Sequence, residues 1–450
     1  RAPSTAFVVA FLLSERFTPA VIPWQFAAAL VDVPAALGLA PWLGPLGVSL
    51  VAVAGNASLL ELVSYLRQRR DVAGGRAADE SAARTRRGEA APDESAARMR
   101  RPESAVGKSA AHPPLFDVTA RGRAIVWAGV VLALAAFAWL APTPGGGRGG
   151  APVRVGVVQA PSVAGRGNDP SEAWQRLLSL HREARLRGAT IVAWGEGALP
   201  FEPEGASLRD GEGAIYAAAF GGPTLVGAVI LGGASAARPD ASAAERALSN
   251  SVLAFSSAGL VGRYDKASLL PFSEYLPFED RLPWLRSLSP ASGRFRPGEG
   301  AAALRVAGQT LAPSVCFEDL FAGMVREAAA APGVGLLFNA TNDGWFGDTA
   351  EPWTHLAHAR LRAAEHARPL VRAATTGPSA LVDERGGVVA LAEPFRDALL
   401  VAELSPRPGP PAPYTRWGDL AWVLTLAAAA LRRRAPAPSG LKSSPSGSTS

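Results

Sequence analysis

The chain has 450 residues, of which 48% are hydrophobic and 11 are tryptophan. This apolar content, with a mean hydropathy of +0.13, is high for a soluble enzyme and indicates a membrane protein. Lys and Arg (45) outnumber Asp and Glu (39), which gives a net charge of +6. Arginine clusters beside apolar segments explain this charge better than a nucleic-acid partner does.

The clearest candidate for a transmembrane helix is the segment 124–141, which carries no charge over roughly 18 residues. A buried core helix is the alternative. Further candidates are the tail of a span at 5–13 and spans at 21–40, 43–63 and 420–431. Because the chain begins at Arg1 inside this apolar region, we expect an N-terminally shortened bundle of helices.

Arginine clusters flank the candidate spans at 67–70, 121–123 and 432–434. Arginine and lysine favour the cytoplasmic side of a membrane, so all three clusters are predicted to be cytoplasmic. The segment 142–412, entered by one span and left by another, must then lie outside the cytoplasm. In a bacterium with two membranes, this compartment is the periplasm and the spans lie in the inner membrane.

The charged segment 67–122 has almost no large apolar residues and repeats Asp-Glu-Ser-Ala-Ala-Arg at 79–84 and 93–98. Because it cannot bury a core, we predict a disordered cytoplasmic loop, and attraction of its arginines to anionic lipid is the alternative. The predicted organisation is transmembrane helices at 1–66, this loop at 67–122, a transmembrane helix at 123–141, a catalytic domain at 142–412, a C-terminal transmembrane helix at 413–434 and a disordered tail at 435–450.

Within 142–412, predicted strands alternate with predicted helices. Residues 153–159 read as a buried strand, and Asp169 with Pro170 begins a helix that Gly188 ends. The apolar stripe of this helix is Leu177, Leu178, Ala184 and Leu186. Later strands are predicted near Thr190, Thr224, Val252, Leu311, Val334 and Leu370, and helices over 213–220, 320–329 and 354–367. This order predicts an α/β domain.

The single cysteine, Cys316, follows the apolar run 310–315, where a buried strand is predicted to end. A free cysteine is most often a small buried hydrophobe. A nucleophilic thiol needs a base, and acyl transfer needs a positive group for the oxyanion. Glu196, in a glycine-flanked turn after the strand 189–194, is the candidate base, and Lys266, after a strand pair, is the candidate cation.

Glu196, Lys266 and Cys316, in this order at strand ends, resemble the catalytic set of the nitrilase or carbon-nitrogen hydrolase superfamily. The flanking motifs resemble its membrane branch, the apolipoprotein N-acyltransferases. These motifs are residues 194–200, 264–266, 271–277 and 342–347, and the pattern from Pro352 to Gly377. The resemblance implies a four-layer α-β-β-α sandwich, placed in this chain between transmembrane helices.

The family carries its base, lysine and nucleophile on residues that match Glu196, Lys266 and Cys316. A second essential glutamate of the family matches Glu274, in a proline-flanked loop. These four residues are the predicted catalytic set. At 165–169 the chain lacks the lysine-tryptophan pair that the family usually shows there and that is thought to touch the lipid substrate.

The resemblance also implies residues that bind the substrate. Trp345 and Glu318 would help to shape the acyl-binding site, and the backbone N–H of Phe317 would share the oxyanion with the lysine. Asn342, in the longest matching motif, is placed in the same group. We expect His355 to contact the substrate or simply to pack in the core.

A metal site is the competing interpretation of His355, His358 and His366, which share one predicted helix. Their spacing does not gather three ligands on one helix face, so we predict no zinc site and no cofactor. The glycine-rich segment 145–150 lacks a phosphate-loop lysine and a preceding strand, and it is interpreted as a hinge.

The resemblance implies acyl transfer in two steps, from a membrane phospholipid to Cys316 and then to the N-terminal amine of a diacylglyceryl apolipoprotein. The main alternative is a hydrolase of small nitriles or amides with the same triad. A membrane scaffold with a decayed catalytic domain and a transferase with another acceptor are two further possibilities. The apolar spans and the aromatic loop around Glu274 favour the acyltransferase.

Overall fold

The computed structural model describes residues 4–17, 23, 25–88, 118–142, 144, 149–161, 169–231, 248–420 and 422. The chain divides into two compact units, Arg1–Thr18 with Ser49–Leu140, and Pro19–Val48 with Ala141–Ser450. The first four helices are α1 (Ser4–Phe17), α2 (Pro34–Leu37), α3 (Ala40–Gly88) and α4 (Val118–Leu140).

In the first unit, α1, the part of α3 from Ser49 onward, and α4 form a helical cluster. Val8, Val53 and Ala57 pack together, with Trp127 against them. Among the described residues, two helical segments are long and apolar enough to cross a membrane, judged by length and composition alone. They are Ala40–Ala73 and Arg121–Leu140.

The prediction of a span at 21–40 is wrong. This segment contains a 3₁₀ turn, Phe26–Leu30, and the four-residue α2, both too short to cross a membrane. Pro34 begins α2, and the chain turns again after Gly38. The segment belongs to the second unit.

The predicted disordered loop at 67–122 also differs from the structure. Helix α3 continues to Gly88 and α4 begins at Val118, because this stretch is rich in Ala, Arg and Glu, which favour helix strongly. Residues 89–117 lie outside the described residues. The predicted C-terminal helix does not run continuously from 413, because a short helix ends at Trp417 before Gly418, whose φ is 55°. Beyond Leu420, Trp422 is the one described residue of the predicted helix. The remainder of that helix and the tail at 435–450 lie outside the described residues.

The second unit contains two mixed sheets of six strands each within the described residues. The strands are β1 (Val153–Gln159), β2 (Ile191–Trp194), β3 (Thr224–Leu231), β4 (Leu248–Ser256), β5 (Gly259–Asp265), β6 (Leu304–Val306), β7 (Gln309–Val315), β8 (Val334–Thr341), β9 (Leu370–Ala374), β10 (Ala380–Val382), β11 (Val388–Leu391) and β12 (Ala398–Leu404). Their orders are β12-β1-β2-β3-β4-β5 and β11-β10-β9-β8-β7-β6. In each sheet three consecutive strands are parallel, β1 to β3 and β7 to β9.

The helices of this unit that follow α4 are α5 (Pro170–Leu186), α6 (Ser207–Asp210), α7 (Glu212–Phe220), α8 (Leu285–Leu288), α9 (Ala322–Ala329), α10 (Glu351–His366) and α11 (Pro413–Trp417). Three apolar cores show how they are layered. One core lies between the two sheets and contains Val157 and Phe338. A second joins α5 and α7 to the first sheet, and a third joins α9 and α10 to the second sheet. The unit is therefore an α-β-β-α sandwich.

The strand 153–159 and the capped start of α5 are confirmed, and Asp169 accepts a hydrogen bond from the N–H of Ser171. One member of the predicted stripe on α5 is wrong, since Leu186 is 88% exposed. Leu186 follows Leu177 by nine residues, which turns it about 180° around the helix axis, away from the sheet.

Candidate active site

The reacting groups predicted from the sequence meet where the carboxyl ends of strands from both sheets approach each other. Glu196 follows β2, Lys266 follows β5 and Cys316 follows β7. The Glu196 turn is tied to the opposite sheet by two bonds. Its N–H donates to Thr341 O at 3.2 Å, and its carbonyl accepts from Thr375 Oγ1 at 2.7 Å.

The glycine before Glu196 is required by this close approach of the two sheets. A Cβ on Gly195 would lie 2.4 Å from the backbone nitrogen of Thr375. Gly227 on β3 is similarly confined, because its Cβ would lie 2.1 Å from the carbonyl oxygen of Gly195. Such distances leave no room for a side chain, so the two glycines allow Glu196 to reach the second sheet.

The Glu196 carboxylate lies between the thiol and two nitrogen donors. It interacts electrostatically with the Cys316 thiol, and its Oε1 accepts from Asn250 Nδ2 at 2.7 Å and lies 4.0 Å from Lys266 Nζ. Burial and, more weakly, the charge of Glu274 raise the pKa of Glu196, against the lowering effects of Lys266 and the hydrogen bonds. A carboxylate with a raised pKa is a stronger base towards a thiol.

Lys266 and Glu274 form a buried ion pair with 2.8 Å between Nζ and Oε1. The same Oε1 accepts from Asn250 at 3.1 Å, while Oε2 accepts from the N–H of Leu270 at 2.8 Å. Burial lowers the pKa of Lys266, but the negative charges of the Cys316 thiolate, once it forms, and of the two glutamates outweigh burial and raise the pKa. Lys266 is therefore a permanent cation beside the thiol.

Cys316 has a backbone conformation that is rare for a residue with a side chain, since its φ is 53°. It begins the 3₁₀ turn Cys316–Leu320, and only 7% of it is exposed. Burial and the negative charge of Glu196 raise the pKa of the thiol well above its usual range, against the lowering effect of Lys266. The resting thiol is thus protonated, and Glu196 is placed to remove the proton during attack.

Glu318, which we expect to help shape the acyl-binding site, has no direct access to it. Its carboxylate is fully buried and accepts four hydrogen bonds. The donors are Tyr264 Oη, Val315 N, Ala267 N and Ser268 N, at 2.7 to 3.0 Å. Four donors occupy all the acceptor positions of a carboxylate. Glu318 therefore joins the segment after β5, which carries Lys266, to the end of β7.

The other predicted substrate-binding residues have different surroundings. Trp345 is 81% exposed, whereas His355 is fully buried with a carboxylate at each ring nitrogen. Direct substrate contact by His355 is thus not supported. Asn342 Oδ1 accepts from Gly344 N at 3.1 Å and from Thr376 Oγ1 at 2.6 Å, so it shapes the turn after β8.

The histidines of α10 do not form a metal site. His358 Nδ1 lies 2.9 Å from Thr354 O, and His366 Nδ1 lies 2.9 Å from Thr415 Oγ1. No group of three metal-ligating side chains occurs among the described residues. The segments 165–168 and 145–148, with the missing lysine-tryptophan pair and most of the predicted hinge, lie outside the described residues.

Asn250 was missed by the sequence analysis, although it bridges Glu196 and Glu274. It lies in β4, within Leu248-Ser-Asn-Ser-Val-Leu, and is 5% exposed. Three consecutive polar residues in a strand that is otherwise apolar were the available signal. That signal does not reveal which face of the strand meets the active site.

The chain resembles known proteins over this region. A sequence model of the family described as carbon-nitrogen hydrolase matches residues 154–408, which is more than half of the chain. Among curated proteins, the apolipoprotein N-acyltransferase of Geobacter metallireducens is 33% identical over 290 residues, 62% of this chain and 53% of the relative. That of Bradyrhizobium diazoefficiens is 35% identical over 257 residues, 55% of this chain and 46% of the relative.

A solved structure, a mutant of an amidase of the nitrilase superfamily from Nesterenkonia, aligns over 63% of this chain and 99% of its own, with a TM-score of 0.42 and 20% identity. The chain spans about half the length of the curated relatives it matches. The family match covers the two sheets and all four residues of the predicted catalytic set. The chain therefore belongs to the carbon-nitrogen hydrolase family.

Proposed function

We propose that this chain is an apolipoprotein N-acyltransferase, which moves a fatty acyl group from a membrane phospholipid to the N-terminal amine of a diacylglyceryl lipoprotein. The observation that carries the proposal is the convergence of Glu196, Lys266 and Cys316. The curated relatives are named apolipoprotein N-acyltransferases, which supports the same function. Glu274 completes the set through its ion pair with Lys266.

In the first step, the thiol of Cys316 gives its proton to Glu196 while its sulfur attacks the ester carbonyl of the phospholipid. Lys266 and the N–H of Phe317 stabilise the resulting oxyanion, which collapses to a thioester as the lysophospholipid alkoxide leaves. Protonated Glu196 returns its proton to that alkoxide. The products are the acyl-enzyme and a neutral lysophospholipid hydroxyl.

In the second step, the α-amine of the lipoprotein attacks the thioester carbonyl and forms an amide. Glu196 removes the proton from the amine and returns one to the sulfur of Cys316 as the thiolate leaves. The same Lys266 cation stabilises the second oxyanion. The cycle uses no cofactor, because proton transfer and charge stabilisation supply the chemistry.

Exposed aromatic side chains in the segment around Glu274 and in the turn after β8 support a lipid substrate. Phe272, two residues before Glu274, is 62% exposed, Phe278 in the same region is 70% exposed and Trp345 is 81% exposed. Large exposed apolar side chains gathered near a site favour an apolar ligand. They favour a lipid substrate over small polar amides.

Apolar helices support a location in the bacterial inner membrane, with the catalytic unit in the periplasm. Helix α4 ends at Leu140, and the first strand of the catalytic unit begins at Val153. Arg121 and Arg123 lie at the other end of the apolar part of α4, which by the positive-inside rule is the cytoplasmic end. A chain that crosses once along α4 would then place both sheets in the periplasm, where lipoproteins mature.

The test is the intact mass of the detergent-purified full chain after incubation with phosphatidylethanolamine. We expect an adduct of one acyl group that neutral hydroxylamine removes and that is absent from Cys316→Ala. Formation of an amide on a synthetic diacylglyceryl peptide would then establish the acceptor. An adduct that forms equally on Cys316→Ala would contradict the thioester mechanism.

The alternative is an amidase that hydrolyses small carbon-nitrogen substrates with the same triad. It predicts ammonia release from short aliphatic amides and no acyl adduct from phospholipid. Measuring both activities on one preparation separates the two functions. Amidase turnover that depends on Cys316, without lipid acylation, would replace the proposed function.

A further inference from the structure

A cluster of four charged side chains lies beneath the nucleophile, outside the set that reacts. Asp319, Asp343, His355 and Arg372 are each no more than 1% exposed. His355 Nε2 lies 2.9 Å from Asp319 Oδ1, and its Nδ1 lies 2.9 Å from Asp343 Oδ1. Arg372 Nη2 donates to Asp343 Oδ2 at 2.8 Å, and Nη1 lies 3.5 Å from Asp319 Oδ2.

The geometry defines the charge of His355. A neutral imidazole has one N–H and one lone pair, so it cannot donate to two carboxylates. With a carboxylate at each nitrogen, His355 is an imidazolium. Two cations and two anions then balance, and pairing with opposite charges is the form in which charges are tolerated in a protein interior.

Two contacts join this cluster to the nucleophile turn. Arg372 Nη1 donates to Asn339 Oδ1 at 2.8 Å, and Asn339 Nδ2 donates to the carbonyl oxygen of Cys316 at 3.1 Å. The ring of Phe317 stacks on the ring of His355, with 5.0 Å between centroids and 22° between planes. The cluster therefore holds the turn through the backbone of Cys316, the side chain of Phe317 and the carboxylate of Asp319.

The left-handed backbone of Cys316 needs such support. A residue with a side chain persists in this region only when its surroundings hold it there. We propose that His355 and Arg372 are positioning residues, which through Asp319, Phe317 and Asn339 keep Cys316 Sγ aligned with Glu196. This inference rests on the proposed role of Cys316 as the nucleophile.

Another ionisable group, Glu351, faces the cluster from the first turn of α10, four residues before His355. Both oxygens of its carboxylate are buried and have no hydrogen-bond partner among the described residues. Burial raises its pKa to about 7. Glu351 therefore changes its charge near neutral pH and can itself alter the alkylation rate. For this reason the test compares the variants with one another at each pH.

The test is the rate constant for alkylation of Cys316 by iodoacetamide in the full chain, measured from pH 6 to pH 9.5. In His355→Gln we expect alkylation at pH 7 to slow by about 10- to 100-fold, because the thiol moves away from its base. The pH profile should approach that of Glu196→Gln. The matched control is His366→Gln, a fully buried histidine of the same helix whose ring contacts Thr415 and Tyr414.

A double variant separates positioning from general destabilisation. If His355 acts only through the alignment of Glu196 with Cys316, His355→Gln should change alkylation by less than about twofold in the Glu196→Gln background. If the rate losses caused by His355→Gln and Glu196→Gln multiply in the double variant, the two residues act independently and the proposal is overturned. It is also overturned if His355→Gln alone has the alkylation rate and pH profile of His366→Gln.

Should His355→Gln fail to fold, Asn339→Asp provides the second variant. An aspartate keeps an acceptor for Arg372 but cannot donate to the carbonyl of Cys316, so we expect the same slowing. An unchanged alkylation profile in this variant would overturn the proposal. Because alkylation needs neither phospholipid nor lipoprotein, a wild-type chain that alkylates normally but forms no acyl adduct would refute the proposed function and leave this inference standing.

Discussion

Glu274 holds the ammonium group of Lys266 at 2.8 Å, whereas Glu196, the proposed base, lies 4.0 Å from it. Both lengths are measured from Nζ to an Oε1 atom. Glu274 therefore has the stronger electrostatic interaction with Lys266. Because Glu196 does not form the direct ion pair, its carboxylate keeps more of its basicity. This division of roles between two glutamates leads to the first prediction.

Replacing Glu274 by Gln should slow both half-reactions by about 100-fold, because Lys266 loses the anion that fixes it at the oxyanion position. The amide also cannot accept from both Lys266 and the N–H of Leu270. Single-turnover acylation and deacylation measure the two steps. The control is Glu279→Gln, which breaks an ion pair with Arg286. The Glu279 side chain is 31% exposed, so this pair is not buried as the pair of Glu274 is. Full turnover in Glu274→Gln would contradict the role given to Glu274.

Replacing Asn250 by Asp should slow acylation at pH 7 by about tenfold and move its pH optimum upward. A third carboxylate beside Glu196 and Glu274 raises the pKa of Glu196 further, so less of the base is ionised at neutral pH. The measurement is acyl-adduct formation across pH. Ser249→Ala, on the opposite face of the same strand, is the control. An unshifted optimum would show that the Asn250 bridge does not tune the base.

Replacing Gly195 by Ala should destabilise the catalytic unit by about 3 kcal/mol and abolish acylation. The added Cβ would meet the backbone of Thr375 at 2.4 Å, so the two sheets must separate at the site. Gly323→Ala is the matched control, because its Cβ would meet nothing within 4 Å and it lies in α9. Thermal unfolding and adduct formation are measured for both. Equal melting temperatures would contradict the close approach.

The stability of the catalytic unit should fall between pH 6.5 and about 9 because of His355. Burial lowers its pKa, but the carboxylates of Asp319 and Asp343 outweigh burial and raise the pKa to about 9. A histidine whose pKa is raised on folding stabilises fully below its unfolded pKa, and this contribution is lost as the pH rises through the folded pKa. The slope is up to about 1.4 kcal/mol per pH unit.

Denaturant unfolding of the wild type and of His355→Gln across this pH range measures the effect. The free energy of unfolding of the wild type should decrease with pH more steeply than that of the variant. His366→Gln again serves as the control, and its slope should match the wild type. Parallel slopes for the wild type and His355→Gln would show that His355 is neutral in the folded protein.

Local sequence patterns were sufficient to place the candidate reacting residues at strand ends and to predict most elements that carry them. The apolar run before Cys316 and the glycines around Glu196 placed both groups at strand ends, as the structure has them. Asp169 and Pro170 predicted the start of α5 correctly. These features depend on neighbours in the chain, and such neighbours are visible in one sequence.

The tertiary structure decided which polar residues touch the reacting groups and which support them. His355 was expected to contact the substrate or to pack in the core, and the structure places Asp319 and Asp343 at its two nitrogens, from turns that follow different strands. Asn250 meets Glu274 across 24 residues of chain. Contacts between distant segments depend on how the two sheets approach, and the periodicity of a single segment carries no information about that approach. The sequence by itself thus determined which residues are candidates for the chemistry of the site, whereas the packing of the sheets decided their geometry.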